Sequence, residues 1–424
     1  MATVLFFFPC CLIYHLYTFP PSGSAVEGVF YIQSVKKSDR FTTGWSYTGV
    51  LKTEGKRICC RYFCKDYFSP SALYKIKGSV RVLKGKFYHL KCKEPWEFVK
   101  PHASAVIWRS KAQDYVKHYI EKHFPERSVS SFLIGMVTGQ LEDRVMLNEF
   151  GQLGLSHLMA ISGLHFSLIA LVFHLFFRLF LPPKIEASCL MVLLTLYLLF
   201  IGETPSILRA WIAVMVFLLG QLLEKRGSAL NSLGIALCLT LIWNPLFAMT
   251  LSFQLSFLAT AGILFFYSTI DQLLNSWLPK KPLKDMVSRH WALQHGYILT
   301  SLFREALALT VAVHLTLFPL LLATFHMFSI NSLLYNLFFP FLASVALLFF
   351  LISIPLGSFG HLLNGYYCEW ILHLTHSPPV LFKSFYIEQM PNWLLTLSLT
   401  ALLMAAIICK IGQPFRKELR ANNS

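Results

Sequence analysis

Acidic side chains are scarce in this chain. Asp and Glu number 21 against 37 Lys and Arg, and charged residues of both signs fill only 14% of 424 positions. A soluble globular domain carries nearly twice that share, so an ordinary soluble protein is excluded. Several catalytic signatures are missing as well. There is no GxxxxGK[ST] run, the loop that cradles the phosphates of a hydrolysed nucleotide. There is no HExxH or HxHxDH run to hold a hydrolytic zinc ion, and no GxSG elbow to present a serine nucleophile. The chain reads as a non-enzyme with no metal and no cofactor.

What remains is apolar and basic. Hydrophobic residues make up 55% of the chain, Phe alone numbers 38, and the formal charge is +16. Apolar runs at 155–180, 188–202, 206–223, 229–243, 246–268, 305–326, 329–356 and 392–411 approach or exceed the roughly 20 residues that cross a bilayer. A strongly positive membrane protein implies an anionic partner, either lipid headgroups or nucleic acid.

The first hundred residues differ in kind from the rest. Residues 3–19 are apolar, with no basic residue before them, and Phe19-Pro20-Pro21 makes a poor cleavage site. Residues 1–21 are therefore expected to form a signal anchor. Residues 22–102 alternate in short runs such as GVFYIQSV, YTGVLKT and RICCRYF, the pattern of closely spaced β-strands. This segment holds 16 Lys and Arg against 6 Asp and Glu. Trp45, Tyr47, Tyr62, Phe63, Tyr67, Tyr74, Phe87 and Tyr88 are interleaved with the charges. A small OB-like barrel with basic and aromatic faces suits single-stranded nucleic acid, and Lys75, Lys77, Arg81, Lys84 and Lys86 are the candidate guiding cations. About half of the aromatics must instead be barrel core. Cys59, Cys60, Cys64 and Cys92 leave three options open: a disulfide, free thiols, or a zinc site of unusual spacing.

Residues 103–128 carry a mixed helical pattern and are expected to lie along the membrane surface. The run SFLIGMVTGQL has Gly135 and Gly139 four apart, which suits a re-entrant or tightly packed helix. The chain is organised around the stretch that follows, GLSHLMAISGLHFSLIAL at 154–171. It is apolar enough for a bilayer, yet His157, Ser162, Gly163 and His165 stand near its start. Polar groups within a span are costly and usually face a bundle interior or a wet cavity. Hydrogen bonding between helices would account for any one of these histidines alone. Further polar points follow in GETPSILRA (Glu203, Ser206, Arg209), in LSFQLSFLATAG (Ser252, Gln254, Ser256, Thr260) and in FHMFSINSLLYNLFFP (His326, Asn336, Pro340). Arg209 either pairs with Glu203 or faces a phosphate. The serines and Thr260 are spaced by four, which makes a polar stripe that glues helices or lines a wet path.

In order and spacing, SHLMAISGLH, S-x-x-R-A, QLSFLA and the N-x3-P ending resemble the ComEC-type competence family, whose members carry DNA across the bacterial inner membrane. The family's Val-Gly after the motif His is replaced here by Phe166-Ser167. The resemblance covers 130–345 and implies a fold: a polytopic α-helical membrane protein with an N-terminal small β-barrel (OB-like) extramembrane domain. It implies a channel for single-stranded DNA over 129–411, with a path lined by His157, Ser162, Gly163, His165, Ser206, Arg209, Ser252, Gln254, Ser256, His326 and Asn336. Many members also carry a metallo-β-lactamase-like domain. The chain ends 13 residues beyond Ile411, so a nuclease, a DNA receptor and a cytoplasmic motor are expected as separate partners.

Lys and Arg at 178, 184, 225, 226, 280, 281, 284, 289 and 304 and in the basic tail 412–424 place those segments on the cytoplasmic side by the positive-inside rule. The barrel then lies on the outer face, provided one further span falls within 362–385 or a re-entrant pair elsewhere takes its place. Two other readings compete. A secondary transporter or lipid-linked carrier would be favoured by inverted repeats, which are not evident. An intramembrane hydrolase would use Ser162 or Ser167 with His165.

Overall fold

The computed structural model describes residues 23–38, 44–53, 56–70, 72–82, 88–92, 96–101, 105–140, 143–155, 163–224, 228–244, 247–248, 250–279, 291–325, 327–329, 331–376 and 384–386, with single positions between 394 and 405. His157, Ser162, His326, Lys84 and Lys86, the signal anchor 1–21 and the tail 412–424 lie outside the described residues. Contacts group the chain into two units. One comprises Met1–Val116, Thr195–Glu203 and Leu237–Phe253; the other comprises Lys117–Leu194, Thr204–Ala236 and Gln254–Ser424.

The first unit opens with six strands: β1 (Ala25–Ser38), β2 (Gly44–Thr53), β3 (Lys56–Cys64), β4 (Ala72–Val82), β5 (Tyr88–Cys92) and β6 (Glu97–Pro101). Their order is β1-β2-β3-β5-β4, and β4 returns to pair with β1, so five strands close into a barrel. Every pairing is antiparallel except β3 with β5. This order, with its single parallel contact, is that of an OB-like barrel, and closure leaves no free edge along the ring. β1 can serve two neighbours because it is long and its register shifts between Ile32 and Ser34; such a bulge bends a strand. Strand β6 continues the edge of β4 that β5 occupies further along.

Alternation sorts the barrel's side chains. Phe30, Tyr47, Leu51, Ile58, Cys60, Ile76, Val80 and Leu90 point inward and are nearly or fully buried. Trp96 sits among them, its ring centroid 4.2 Å from Phe68, 4.9 Å from Tyr62, and 5.3–5.4 Å from Tyr74, Phe30 and Tyr47. Phe63 and Tyr67 are exposed. The interleaved aromatics therefore divide, with Tyr47, Tyr62 and Tyr74 serving as core. Cys64 and Cys92 carry free thiols, and Trp96 donates its indole N–H to Cys92 Sγ at 3.3 Å.

After the barrel come α1 (Ala105–His123), α2 (Arg127–Thr138), α3 (Arg144–Gln152), α4 (Gly163–Arg178), α5 (Pro183–Ile201), α6 (Pro205–Leu222), α7 (Ala229–Trp243), α8 (Leu251–Asn275) and α9 (Trp291–Phe325). A short strand β7 (Met327–Ser329), then α10 (Asn331–His376) and β8 (Ser384–Tyr386) complete the described elements. Among the described residues, five helices are long and apolar enough to cross a membrane: Pro183–Ile201, Pro205–Leu222, Leu251–Asn275, Gln294–Thr324 and Asn331–Thr375. His165–Arg178 and Ala229–Trp243 are apolar but shorter.

Within the first unit, α1 is tied to the last turn of α5. Arg109 Nε donates to the Leu199 carbonyl at 2.9 Å, and Gln113 Nε2 donates to the Phe200 carbonyl at 2.9 Å. These are among the carbonyls that a helix end leaves without intrahelical partners. In the second unit, Asp143 caps α3 through bonds from the Val145 and Met146 amides. Gly139 ends α2 in the left-handed region, and its N–H donates to the Gly135 carbonyl at 3.0 Å. The four-residue glycine spacing thus contains a helix-ending bond.

The 46-residue α10 would be about 70 Å long if straight, more than twice a hydrocarbon core. It breaks at Gly357, where φ is 62° and ψ is −144°, a region that residues with a Cβ avoid. Pro355, just before, also removes a helical N–H. The break falls between the apolar run 329–356 and the further span expected within 362–385.

Candidate functional site

Arg209 lies in the second turn of α6. The helix starts where the local chemistry dictates: Thr204 stands at the N-cap with extended backbone, and Pro205 occupies the first turn, where its missing N–H costs nothing. Ser206 is half-buried, its hydroxyl 3.4 Å from that of Thr204. One turn further on, Arg209 is half-buried and donates Nε–H to Ser256 Oγ on α8 at 2.8 Å. Its Nη2 passes over Gly163, the first residue of α4. A Cβ at that position would stand 2.6 Å from Nη2 and 3.5 Å from Ala210 Cβ. The glycine is required for that close approach.

Three of the motifs therefore meet at one guanidinium: the glycine of ISGLH, the arginine of S-x-x-R-A, and the serine of QLSFLA. Ser256 is neutral, so the bond orients Arg209 without cancelling its charge. Among the described residues no carboxylate pairs with Arg209. Glu203 takes a bond of its own from Trp243 Nε1 at 2.9 Å.

The other sequence-predicted residues lie in varied settings on their own elements. His165 lies two residues beyond Gly163 and is fully buried. On α8, Ser252 is exposed, Gln254 is half-buried, and Thr260 donates back to the Ser256 carbonyl at 3.0 Å. Asn336, in the second turn of α10, has a shielded Oδ1 that accepts no hydrogen bond from the described residues. On the barrel, Lys75 and Lys77 converge on Glu27, at 3.0 and 3.6 Å, while Arg81 is exposed further along the same strand. The bond from Lys75 holds the Glu27 carboxyl below the usual carboxylate range.

Two polar constellations were not anticipated. Arg304 is not a loop cation as the charge count supposed. It is 1% exposed within α9, donates Nε–H to Asp271 Oδ1 on α8 at 3.0 Å, and donates Nη1–H to the Leu278 carbonyl at 2.8 Å. Its sequence context, SLFREALALT, offers one hint, an arginine inside a long apolar run. The second group is centred on His361, which is 4% exposed. Its Nδ1 lies 2.9 Å from Ser353 Oγ across the α10 break, and its Nε2 lies 3.1 Å from the Tyr119 hydroxyl. Because Ser353 donates its own proton to the Phe350 carbonyl, Nδ1 carries the hydrogen and Nε2 accepts from Tyr119. Pairing across 242 residues leaves no local pattern to read.

The family model described as "Competence protein" matches residues 138–411. ComE operon protein 3 of Bacillus subtilis (strain 168) is 32% identical over 137 residues, which is 32% of this chain and 18% of that protein. The chain thus aligns with less than a fifth of that relative's length. No solved structure matches significantly. The family match, about two thirds of the chain, takes in Gly163, Arg209 and Ser256 and all five helices able to span a membrane, and the chain belongs to the competence protein family.

Proposed function

We propose that the protein is a bacterial inner-membrane channel that admits single-stranded DNA during natural transformation. The observation that carries the reading is Arg209: a guanidinium inside a helix bundle, oriented by a serine and left with its charge uncompensated by any described carboxylate. A charged residue within a span marks a substrate or ion route by default, and a phosphodiester is the anion that a planar guanidinium grips with two donors. Arg209 uses Nε for Ser256, and its Nη hydrogens remain for a passing phosphate. Ser206, Gln254 and Asn336, with His157, Ser162, His165, Ser252 and His326, would supply neutral donors and acceptors along the route. Weak, repeated contacts of that kind let a charged chain enter and leave.

In this reading the barrel lies outside and guides the strand, following its backbone by charge and its bases by stacking. Lys75, Lys77, Arg81, Lys84 and Lys86 belong to that surface. The receptor, nuclease and motor are separate proteins, and the channel itself does no chemistry. A cysteine placed at Ser46 should react with an impermeant reagent outside spheroplasts, and one placed at Lys281 should not. The reverse pattern would overturn the direction of transport.

Uptake of labelled DNA tests the central assignment. Arg209→Ala should abolish uptake in cells that still accumulate the protein, and Arg209→Lys should restore only a small part, because an ammonium cannot make the bidentate contact. Normal uptake by Arg209→Ala would refute the path. The carrier alternative predicts that Arg209→Ala spares DNA uptake and impairs transport of another anion.

A further inference from the structure

A single row of residues crosses four strands on the outside of the barrel. Thr48 on β2 stands opposite Arg61 on β3, Arg61 opposite His89 on β5, and His89 opposite Arg81 on β4. Their neighbours along the strands, Tyr47, Cys60, Leu90 and Val80, fill the core. Side chains alternate along a strand, so the row faces outward, and Arg61 and Arg81 are exposed. Adjacent strands lie about 4.8 Å apart, which places the two arginine backbones roughly 10 Å apart with the imidazole between them. Phe63, two residues beyond Arg61 on the same face, is 39% exposed and stacks on the His89 ring at 5.5 Å and 19°. Lys91, two residues beyond His89, is also exposed, opposite Ser79.

This end of the barrel differs from the end that carries Lys75 and Lys77. Those lysines share Glu27, and Glu97 stands opposite Lys75. Among the described residues, no acidic residue stands opposite His89, Arg81 or Lys91 in the strand register.

We propose that the Arg61–His89–Arg81 row, with Phe63 beside it, is the seat of single-stranded DNA on this barrel, the two guanidiniums holding backbone phosphates and Phe63 stacking a base. The inference rests on the function proposed above and gives the guiding surface a location. Charge alone would suit an anionic lipid headgroup as well. An exposed ring locked flat beside an arginine favours a ligand that alternates phosphate with an aromatic base. The seat includes the outer face of β3, part of the β2–β3 surface that OB barrels commonly use, and continues one strand past β5.

The row also predicts a proton linkage. Burial, and then the charges of Arg61 on β3 and Arg81 on β4, hold the His89 imidazole below its ordinary range. The other groups around it are Phe63 on β3 and Lys91 on its own strand. A phosphate seated between the arginines offsets their charge and raises the imidazole's affinity for a proton. Binding then takes up a proton, so affinity rises as pH falls through the bound-state value and is flat above it. Each unit of upward shift is worth up to about tenfold.

The test uses the full-length protein in detergent and a fluorescent ten-nucleotide oligothymidylate, with binding followed by anisotropy between pH 8 and pH 5. The double variant Arg61→Ala/Arg81→Ala should weaken binding at least tenfold and reduce the salt dependence by about 1.4 logarithmic units per decade, the share of two phosphates on a single strand. Lys52→Ala/Lys100→Ala, at two exposed lysines outside the row, removes the same formal charge and should cost less than threefold. Phe63→Leu should weaken binding several-fold without changing the salt slope, and His89→Gln should remove the rise toward acid pH. Equal losses in the two double variants would overturn the assignment, as would a wild-type chain that binds the oligonucleotide but ignores the arginine change. Displacement of the oligonucleotide by short-chain phosphatidylglycerol at equal phosphate would mark a headgroup as the occupant and overturn it too. Absence of any binding by the wild-type chain would instead defeat the wider guiding role.

Discussion

Gly163→Ala isolates the meeting of the three motifs with the smallest available perturbation. The new methyl group would stand 2.6 Å from Arg209 Nη2, whereas non-bonded heavy atoms settle near 3.5 Å or beyond. The guanidinium is the free end of a flexible side chain, so it moves by about 0.9 Å and the helices stay put. A rigid planar group displaced by that much draws Nε away from Ser256 Oγ, now at 2.8 Å, and out of hydrogen-bond range. Losing a bond to a charged donor costs about 1.5–3 kcal/mol, and the alanine returns up to about 1 kcal/mol of helix propensity. The net loss of stability is thus about 1 kcal/mol, and the protein should accumulate and melt within a few degrees of wild type. Uptake of labelled DNA should fall at least tenfold, because the cation has left its place. A double-mutant cycle with Ser256→Ala sharpens the test. If the alanine has already broken the bond, the second change adds little, and the thermal-unfolding coupling should be about 1–2 kcal/mol. Additive effects, or uptake at the wild-type level, would refute the argument that Gly163 exists to seat Arg209.

Other consequences can be measured on the same purified chain. Arg304→Ala strands Asp271 and should cost about 3–5 kcal/mol, whereas Arg304→Met with Asp271→Leu should recover most of the loss in thermal melting. Tyr119→Phe removes the donor to His361 Nε2 and should cost about 1–2 kcal/mol, with Tyr115→Phe, an exposed neighbour on α1, as a silent control. Among the barrel thiols, half-exposed Cys64 should react first with a maleimide, and buried Cys60 only on unfolding. Burial pushes the Cys92 thiol above its usual range. Less of it is the reactive thiolate at neutral pH, so its labelling should remain slow at pH 7 and quicken as pH rises.

The elements of this protein are written in short-range patterns. Period-two alternation at 22–102 marks strands, because successive side chains face opposite sides of a sheet. Apolar runs of 18 residues or more mark helices that can span a bilayer, because lipid leaves the backbone no partner but itself. Charge asymmetry between the first hundred residues and the rest is likewise visible without a fold, and so are the separate strings ISGLH, S-x-x-R-A and QLSFLA. Packing decided what those patterns leave open. Alternation shows that Tyr62 and Phe63 face opposite ways, but only barrel closure makes one a neighbour of Trp96 and the other an exposed partner of His89. The parallel contact of β3 with β5 joins strands separated by β4, and it alone sets Arg61 beside His89. Arg209 and Ser256 are 47 residues apart, and Tyr119 and His361 are 242 apart; no periodicity reaches such distances. Arg304 looked like a loop cation because it stands just before the apolar run 305–326, and only the neighbouring helix supplies the carboxylate that lets it be buried. Hydrophobic period says which face of an element turns inward. Which other face it meets depends on volumes and hydrogen bonds that exist only once the chain is packed.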